Sequence, residues 1–259
     1  MGLQFPTRAE RPGSQPHASG LEGAWPEFMY HDAVLNRLFG RVIDELPEFQ
    51  YYAWDDEREE VVGVGNAIPA AWDGDIATLP DGGVDAVVEA RFAEGAPTPT
   101  VLCALQILIA PDYRGQGLSS RMIERMGEIG RQHGLETLIA PVRPNLKHRY
   151  PLAPMERYIE WRRDDGGHVD PWLRTHERLG AKIVKVAPES MRVPGSVSDW
   201  EEWAELAFPE SGAYVVPGAL VPIEIDRERD EGLYVEPNVW MVHSLYESVN
   251  SARGAGGGI

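Results

Sequence analysis

Apolar positions along the chain change spacing as it proceeds, and each change marks an element. Val34, Leu35, Leu38, Phe39, Val42 and Ile43 fall every three or four residues, which predicts an amphipathic helix over 31–46. Residues 50–54 and 61–72 read as strands joined by an acidic tip at 55–60, so a hairpin follows the helix. The stretch 73–100 carries turn residues at both ends, with a helix expected over 84–92. Residues 101–110 form an almost unbroken apolar run with a single Gln, the pattern of a central strand buried on both faces. After a turn at 111–117, Leu118, Met122, Met126 and Ile129 return to helical spacing, and Gly134 stands where a helix would end. A strand over 137–142 is stopped by Pro144.

Beyond that strand the pattern thins. Residues 145–169 make a long connection that mixes Tyr150, Tyr158 and Trp161 with arginines, histidines and the acidic pair Asp164 and Asp165. Asp170 and Pro171 supply a cap and a first-turn proline for a short helix ending at Gly180. A strand at 182–187, a helix at 200–206 and extended stretches at 214–225 and 233–243 follow.

Composition narrows the function classes. The chain has 259 residues, 43% of them hydrophobic, enough for one large globular unit or a core with an appendage. Its first twenty residues hold no apolar run of the length a signal peptide or membrane span needs, so a soluble cytoplasmic protein with no membrane partner is expected. A net charge of −17 opposes the counterion-release binding of nucleic acid, and it would attract a cationic small molecule such as an amine. Cys103 is the single cysteine, which excludes an intramolecular disulfide and a Cys-rich zinc site; no metal is expected. Its place inside an apolar run points to packing.

The candidate chemistry lies in the turn Pro111-Asp-Tyr-Arg-Gly-Gln-Gly-Leu-Ser-Ser120, between the buried strand and the amphipathic helix. Gly115 and Gly117 permit backbone angles that a side chain forbids, and the helix start offers unpaired N–H groups and a positive dipole end to an anion such as pyrophosphate. Arg114 can add a charge-assisted hydrogen bond. A nucleotide P-loop would need Gly-Lys-Ser/Thr, which is absent, and a dinucleotide fold would need a third glycine where Ser120 stands.

The run Arg114-Gly115-Gln116-Gly117-Leu118-Ser119 resembles the pyrophosphate motif of the GNAT superfamily of N-acetyltransferases, Arg/Gln-x-x-Gly-x-Gly/Ala, with Ser in the last place. The lead-in Ile109-Ala-Pro111-Asp-Tyr-Arg114 is similar too, and the order of elements follows the family over about 30–187. The resemblance implies an α+β fold: a central mixed, mostly antiparallel sheet flanked by helices, here with a C-terminal α/β extension. It divides the chain into a flexible leader at 1–25, an acyl-CoA-binding core at 26–187, an extension at 188–250 packed on the core, and a flexible tail at 251–259. It also implies acetyl-CoA or another acyl-CoA as co-substrate, held by the backbone of Ile107, Leu108 and Ile109, by Arg114, Gly115, Gln116, Gly117, Leu118 and Ser119, and by Asn145.

An amine acceptor must lose a proton, and the departing thiolate must gain one. Aligning His176-Glu-Arg-Leu-Gly180 with the family's Tyr-x-x-Leu-Gly puts His176 at the position of the usual general acid, and an imidazolium could donate there. The central strand holds no acid, which leaves water or a residue of the long connection, Glu160, Asp164, Asp165 or His168, as base and acceptor wall. The reading is therefore an acyltransferase acting on a small-molecule amine, as a monomer or homodimer. A catalytically silent CoA-binding module and an NAD(P)-dependent enzyme stay open as alternatives.

Overall fold

The computed structural model describes residues 2–11, 21 and 23–245, so the tail at 251–259 and part of the leader lie outside them. In chain order the elements are β1 (Leu3–Gln4), α1 (Ala33–Glu45), β2 (Gln50–Asp55), β3 (Glu60–Ala70), α2 (Gly83–Phe92), β4 (Val101–Ile109), α3 (Leu118–Gln132), β5 (Thr137–Val142), α4 (Met155–Tyr158) and α5 (Pro171–Arg178). β6 (Lys182–Gly195), α6 (Val197–Ala204), β7 (Gly212–Tyr214), β8 (Ile223–Asp226) and β9 (Glu231–Ser244) complete them.

Nine strands form one sheet in the order β1-β2-β3-β4-β5-β9-β8-β7, with β6 on the other edge of β9. The β4–β5 pair is parallel and the rest are antiparallel. α1 packs on α2, and α2 on β3 and β6, while α3 packs on β4 and α5. The apolar stripe foreseen for α3 is its buried face, with Leu118, Met122, Met126 and Ile129 almost inaccessible. Asp32 caps α1 by accepting from the Leu35 amide at 2.8 Å, and Asp170 caps α5 through the Trp172 and Leu173 amides.

The structure differs from the sequence expectations in three places. Residues 2–11, expected as a flexible leader, are tied down: β1 pairs with β2, Arg8 donates its amide to the Gln50 carbonyl, and Arg125 Nε donates to the Phe5 carbonyl at 2.9 Å. The boundary expected at 187 falls inside β6, and β9 from the supposed extension lies within the sheet between β5 and β6. Its fully buried Val239, Trp240 and Met241 cover what would otherwise be an open apolar edge of β5. Finally, β4 is buried only over Val101, Leu102 and Cys103; from Ala104 onward it is half-buried, because the sheet opens there. No helix among the described residues is long and apolar enough to cross a membrane.

Candidate active site

β4 and β5 pair only at Leu102↔Leu138 and Cys103↔Ile139, then part. Each strand is held on its other side, β4 by β3 and β5 along its whole length by β9, so the gap cannot close. A register slip between Asn66 and Ala67 leaves Leu105 without a partner on β3, a bulge that bends β4 as the split begins. A cleft of about 1880 Å³ opens here. Its walls come from α1 and α2 as well as from α3 and α5, so it passes through the sheet. The backbone of Ala104–109 on the β5 side lacks strand partners and can bind the amides of an extended ligand. The side chains of Ile107 and Leu108 meanwhile pack against the core.

At the far end of β4 the glycine turn takes the conformation its sequence demands. Gly115 and Gly117 have φ of +75° and +79°, and a Cβ at either would meet no protein atom within 4 Å. The protein leaves room there, so the requirement is on backbone angle and on whatever approaches the turn. α3 starts at Leu118 with no side-chain cap, which leaves its first N–H groups to a ligand. Arg114 Nε donates to the Ile109 carbonyl at 3.1 Å and fixes the turn to the strand end. Ile107, Leu108, Ile109, Arg114, Gly115, Ser119 and Asn145 all line the cleft; Gln116, Gly117 and Leu118 belong to the same turn, with the Leu118 side chain in the core.

The expected proton-transfer residues fare differently. His176 lines the cleft, but it is buried and its Nδ1 meets His243 Nε2 at 2.9 Å. Burial, and then His243, hold its pKa well below the ordinary range, while burial lowers His243 to about 4. One proton is shared between the two rings, and His176 Nε2 has no protein partner among the described residues. Near pH 7 His176 is therefore neutral, which works against the imidazolium donor expected of it. Glu160, Asp164, Asp165 and His168 do not reach the cleft. The first three are exposed, with Asp165 closing a turn on the Gly167 amide and pairing with Arg163. His168 is fully buried and accepts from the Asp170 amide at 2.8 Å. The start of the long connection, Asn145, Leu146, His148 and Arg149, lines the cleft, while the rest folds on itself around Tyr150, Tyr158 and Trp161. Cys103 is inaccessible and burial pushes its thiol pKa up, so it is inert.

The half of the cleft bounded by α1 and α2 is built from residues that sequence reasoning missed: Trp25, Tyr30, Gln106, Arg143, Glu236 and Asn238. Glu236 is the one carboxylate on the wall among the described residues. It is fully buried, and both its oxygens are already occupied by Arg143 Nε, Tyr234 Oη and Asn238 Nδ2. The available signal was two polar residues, Glu236 and Asn238, within the apolar run of β9. Among the described residues no group of three or more His, Cys, Asp or Glu side chains could hold a metal ion.

A split parallel pair, a bulge beside it and a glycine turn heading a helix together offer unpaired backbone groups to an extended ligand with an anionic end. The model of the Acetyltransferase (GNAT) family matches residues 19–153. An arginine N-acetyltransferase of Aspergillus versicolor, avaD, is 31% identical over 255 residues, covering 87% of each chain. The chain belongs to the GNAT family and is an acyl-CoA-dependent N-acyltransferase, moving an acyl group from acyl-CoA to an amine. Among solved structures it is similar to the loading GNATL domain of CurA from Lyngbya majuscula, with a TM-score of 0.57, 19% identity and coverage of 95% and 98% of the two chains. It is also similar to the GphF GNAT-like decarboxylase in complex with isobutyryl-CoA, with a TM-score of 0.52, 17% identity and coverage of 95% and 100%. Both likenesses concern the fold.

Proposed function

We propose that this enzyme acetylates an amine of a small acceptor of the arginine type, with acetyl-CoA as donor. The gap between β4 and β5 carries this reading, since it joins the turn at Arg114–119 to a second chamber walled by α1 and α2. The arginine acceptor of the relative from Aspergillus versicolor suggests the acceptor class. In this reading the backbone of Ile107–109 holds the thioester arm and an N–H of β4 stabilises the oxyanion as the amine attacks. Arg114–119 hold the pyrophosphate, and Asn145 steadies the arm beyond β5. Glu236 is saturated, so the amine proton leaves through water.

Thiol release from acetyl-CoA is the direct test, followed over a panel of amines that includes L-arginine, with product mass as a second readout. Acceptor-dependent release with an acetylated product is expected, together with its loss in Gly117→Trp. Acetyl-CoA binding without turnover of any amine would overturn the reading and favour a silent CoA-binding module.

A further inference from the structure

The acceptor half of the cleft presents a guanidinium that acyl transfer itself does not require. Arg143 follows the last residue of β5, where the gap is open, and it lines the cleft. Its Nε donates to the two Glu236 oxygens at 2.9 and 3.1 Å, and its Nη2 donates to the Gly218 carbonyl at 2.7 Å. The guanidinium carbon stands 5.7 Å from the centroid of the Trp25 ring. Three elements distant in the chain thus fix one side chain.

Glu236 is fixed in its turn. Tyr234 Oη donates to it at 2.9 Å and Asn238 Nδ2 at 3.0 Å, while Asn238 Oδ1 accepts from Ser190 Oγ at 2.7 Å. The ion pair uses only Nε of Arg143. The Tyr234 hydroxyl also stands beside the guanidinium, and Nη1 makes no hydrogen bond of good geometry among the described residues, on a side chain that is 16% exposed at the cleft wall. Burial alone would lower the Arg143 pKa, but Glu236 and Tyr234 outweigh it, so the group stays charged. The neighbouring Gln106 is already committed, its Oε1 to Trp25 Nε1 and its Nε2 to Asn66. Arg143 is therefore a preorganised donor on the cleft wall, and a planar guanidinium with a free terminal nitrogen matches an oxygen acceptor on the ligand.

We propose that Arg143 is a specificity residue which donates through Nη1 to a carboxylate or carbonyl oxygen near the amine to be acylated, so that the enzyme selects amino-acid-derived amines over bare alkylamines. The inference rests on reading the gap as the transfer site, but not on arginine being the acceptor. The same donor serves a free carboxylate or an amide carbonyl, and the choice of acceptors separates these two sources.

Three acceptors differ only in the group at issue: L-arginine carries a carboxylate, argininamide a carbonyl and agmatine neither. L-tryptophan and tryptamine repeat the contrast on a neutral side chain. The expected result is a kcat/KM at least about tenfold higher for the oxygen-bearing member, the size of one charge-assisted hydrogen bond, and expressed chiefly in KM. Arginine well above argininamide identifies a carboxylate site; parity between them identifies a carbonyl site. In Arg143→Met the ratio should collapse towards one, and Arg143→Lys should restore part of it. Because Arg143→Met strands Glu236, Arg143→Met with Glu236→Gln is made alongside. The wild-type comparison needs no variant, and agmatine equal to arginine, or tryptamine equal to tryptophan, would overturn the proposal. If no amine is acetylated, the transfer reading falls; melting of the CoA-loaded protein with arginine against agmatine then judges the Arg143 site alone, and equal shifts would reject it.

Discussion

A glycine at φ near +79° shows how far one residue can be read from sequence. Gly117 announced itself because only such a residue makes the turn before α3 without strain. Its surroundings sharpen the test, since a Cβ there meets no protein atom. Gly117→Ala should cost about 1 kcal/mol of stability from left-handed backbone strain alone. Any larger effect must come from the ligand approaching the turn. The expected outcome is an acetyl-CoA KM raised about tenfold, with kcat close to wild type, measured by steady-state thiol release. Arg143 and Glu236 could not be found in the same way, because they meet across distant stretches of chain and neither flanks a recognisable motif. His176 was legible as a position, but its protonation state was not. Its family place could be aligned, but its burial and its bond to His243 on β9 come only from the sheet order.

At the scale of elements, local periodicity carried well. α1, β4, α3, β5 and α5 all fall where spacing, caps and proline put them, because those signals lie within a few residues of one another. β1 was missed, being two residues long, and β6 was expected to stop at 187 although it runs on to Gly195. The cap of α5 is the element that most directly joins fold to site. Asp170 Oδ1 accepts from the Trp172 and Leu173 amides, while Oδ2 accepts from the Leu146 amide at 2.7 Å and Tyr158 Oη at 2.8 Å. One carboxylate thus ties α5, with His176 on it, to the residue after Asn145 and to α4. Asp170→Ala should cost about 3 kcal/mol through a lost cap and stranded buried donors, read by chemical denaturation. It should also raise the acetyl-CoA KM, whereas a loss of stability with an unchanged KM would mean that the Asn145 loop keeps its position unaided.

For the whole molecule, stability should depend on pH through carboxyls that do not themselves line the cleft. Asp32 and Asp85 both accept from the Arg192 amide, at 3.2 and 3.1 Å, joining the start of α1 and α2 to β6. Burial first, and then the charge of Asp32, push Asp85 up to about 8. An acid whose pKa is raised on folding stabilises the protein fully below its unfolded value near 3.8 and loses that contribution as pH climbs to about 8. The buried histidines act oppositely, but only below their unfolded value of about 6.5. Between pH 6.5 and 8 the coupled Asp32–Asp85 pair therefore dominates, and unfolding free energy should fall with rising pH, a slope that Asp85→Asn should flatten. Above pH 8 the buried Lys147, lowered to about 8 by desolvation, should begin to reverse the trend. The fold class was legible at this scale, but the place of β9 was not, since no local pattern tells a strand which distant edge it will join. That placement governs the order of events when the chain folds. β5 makes two rungs with β4 and six with β9, so the wall of the gap is set only after a long loop has closed. The transition state can precede the opening itself, in which case a bound thioester leaves the folding rate untouched and acts by slowing escape from the native state.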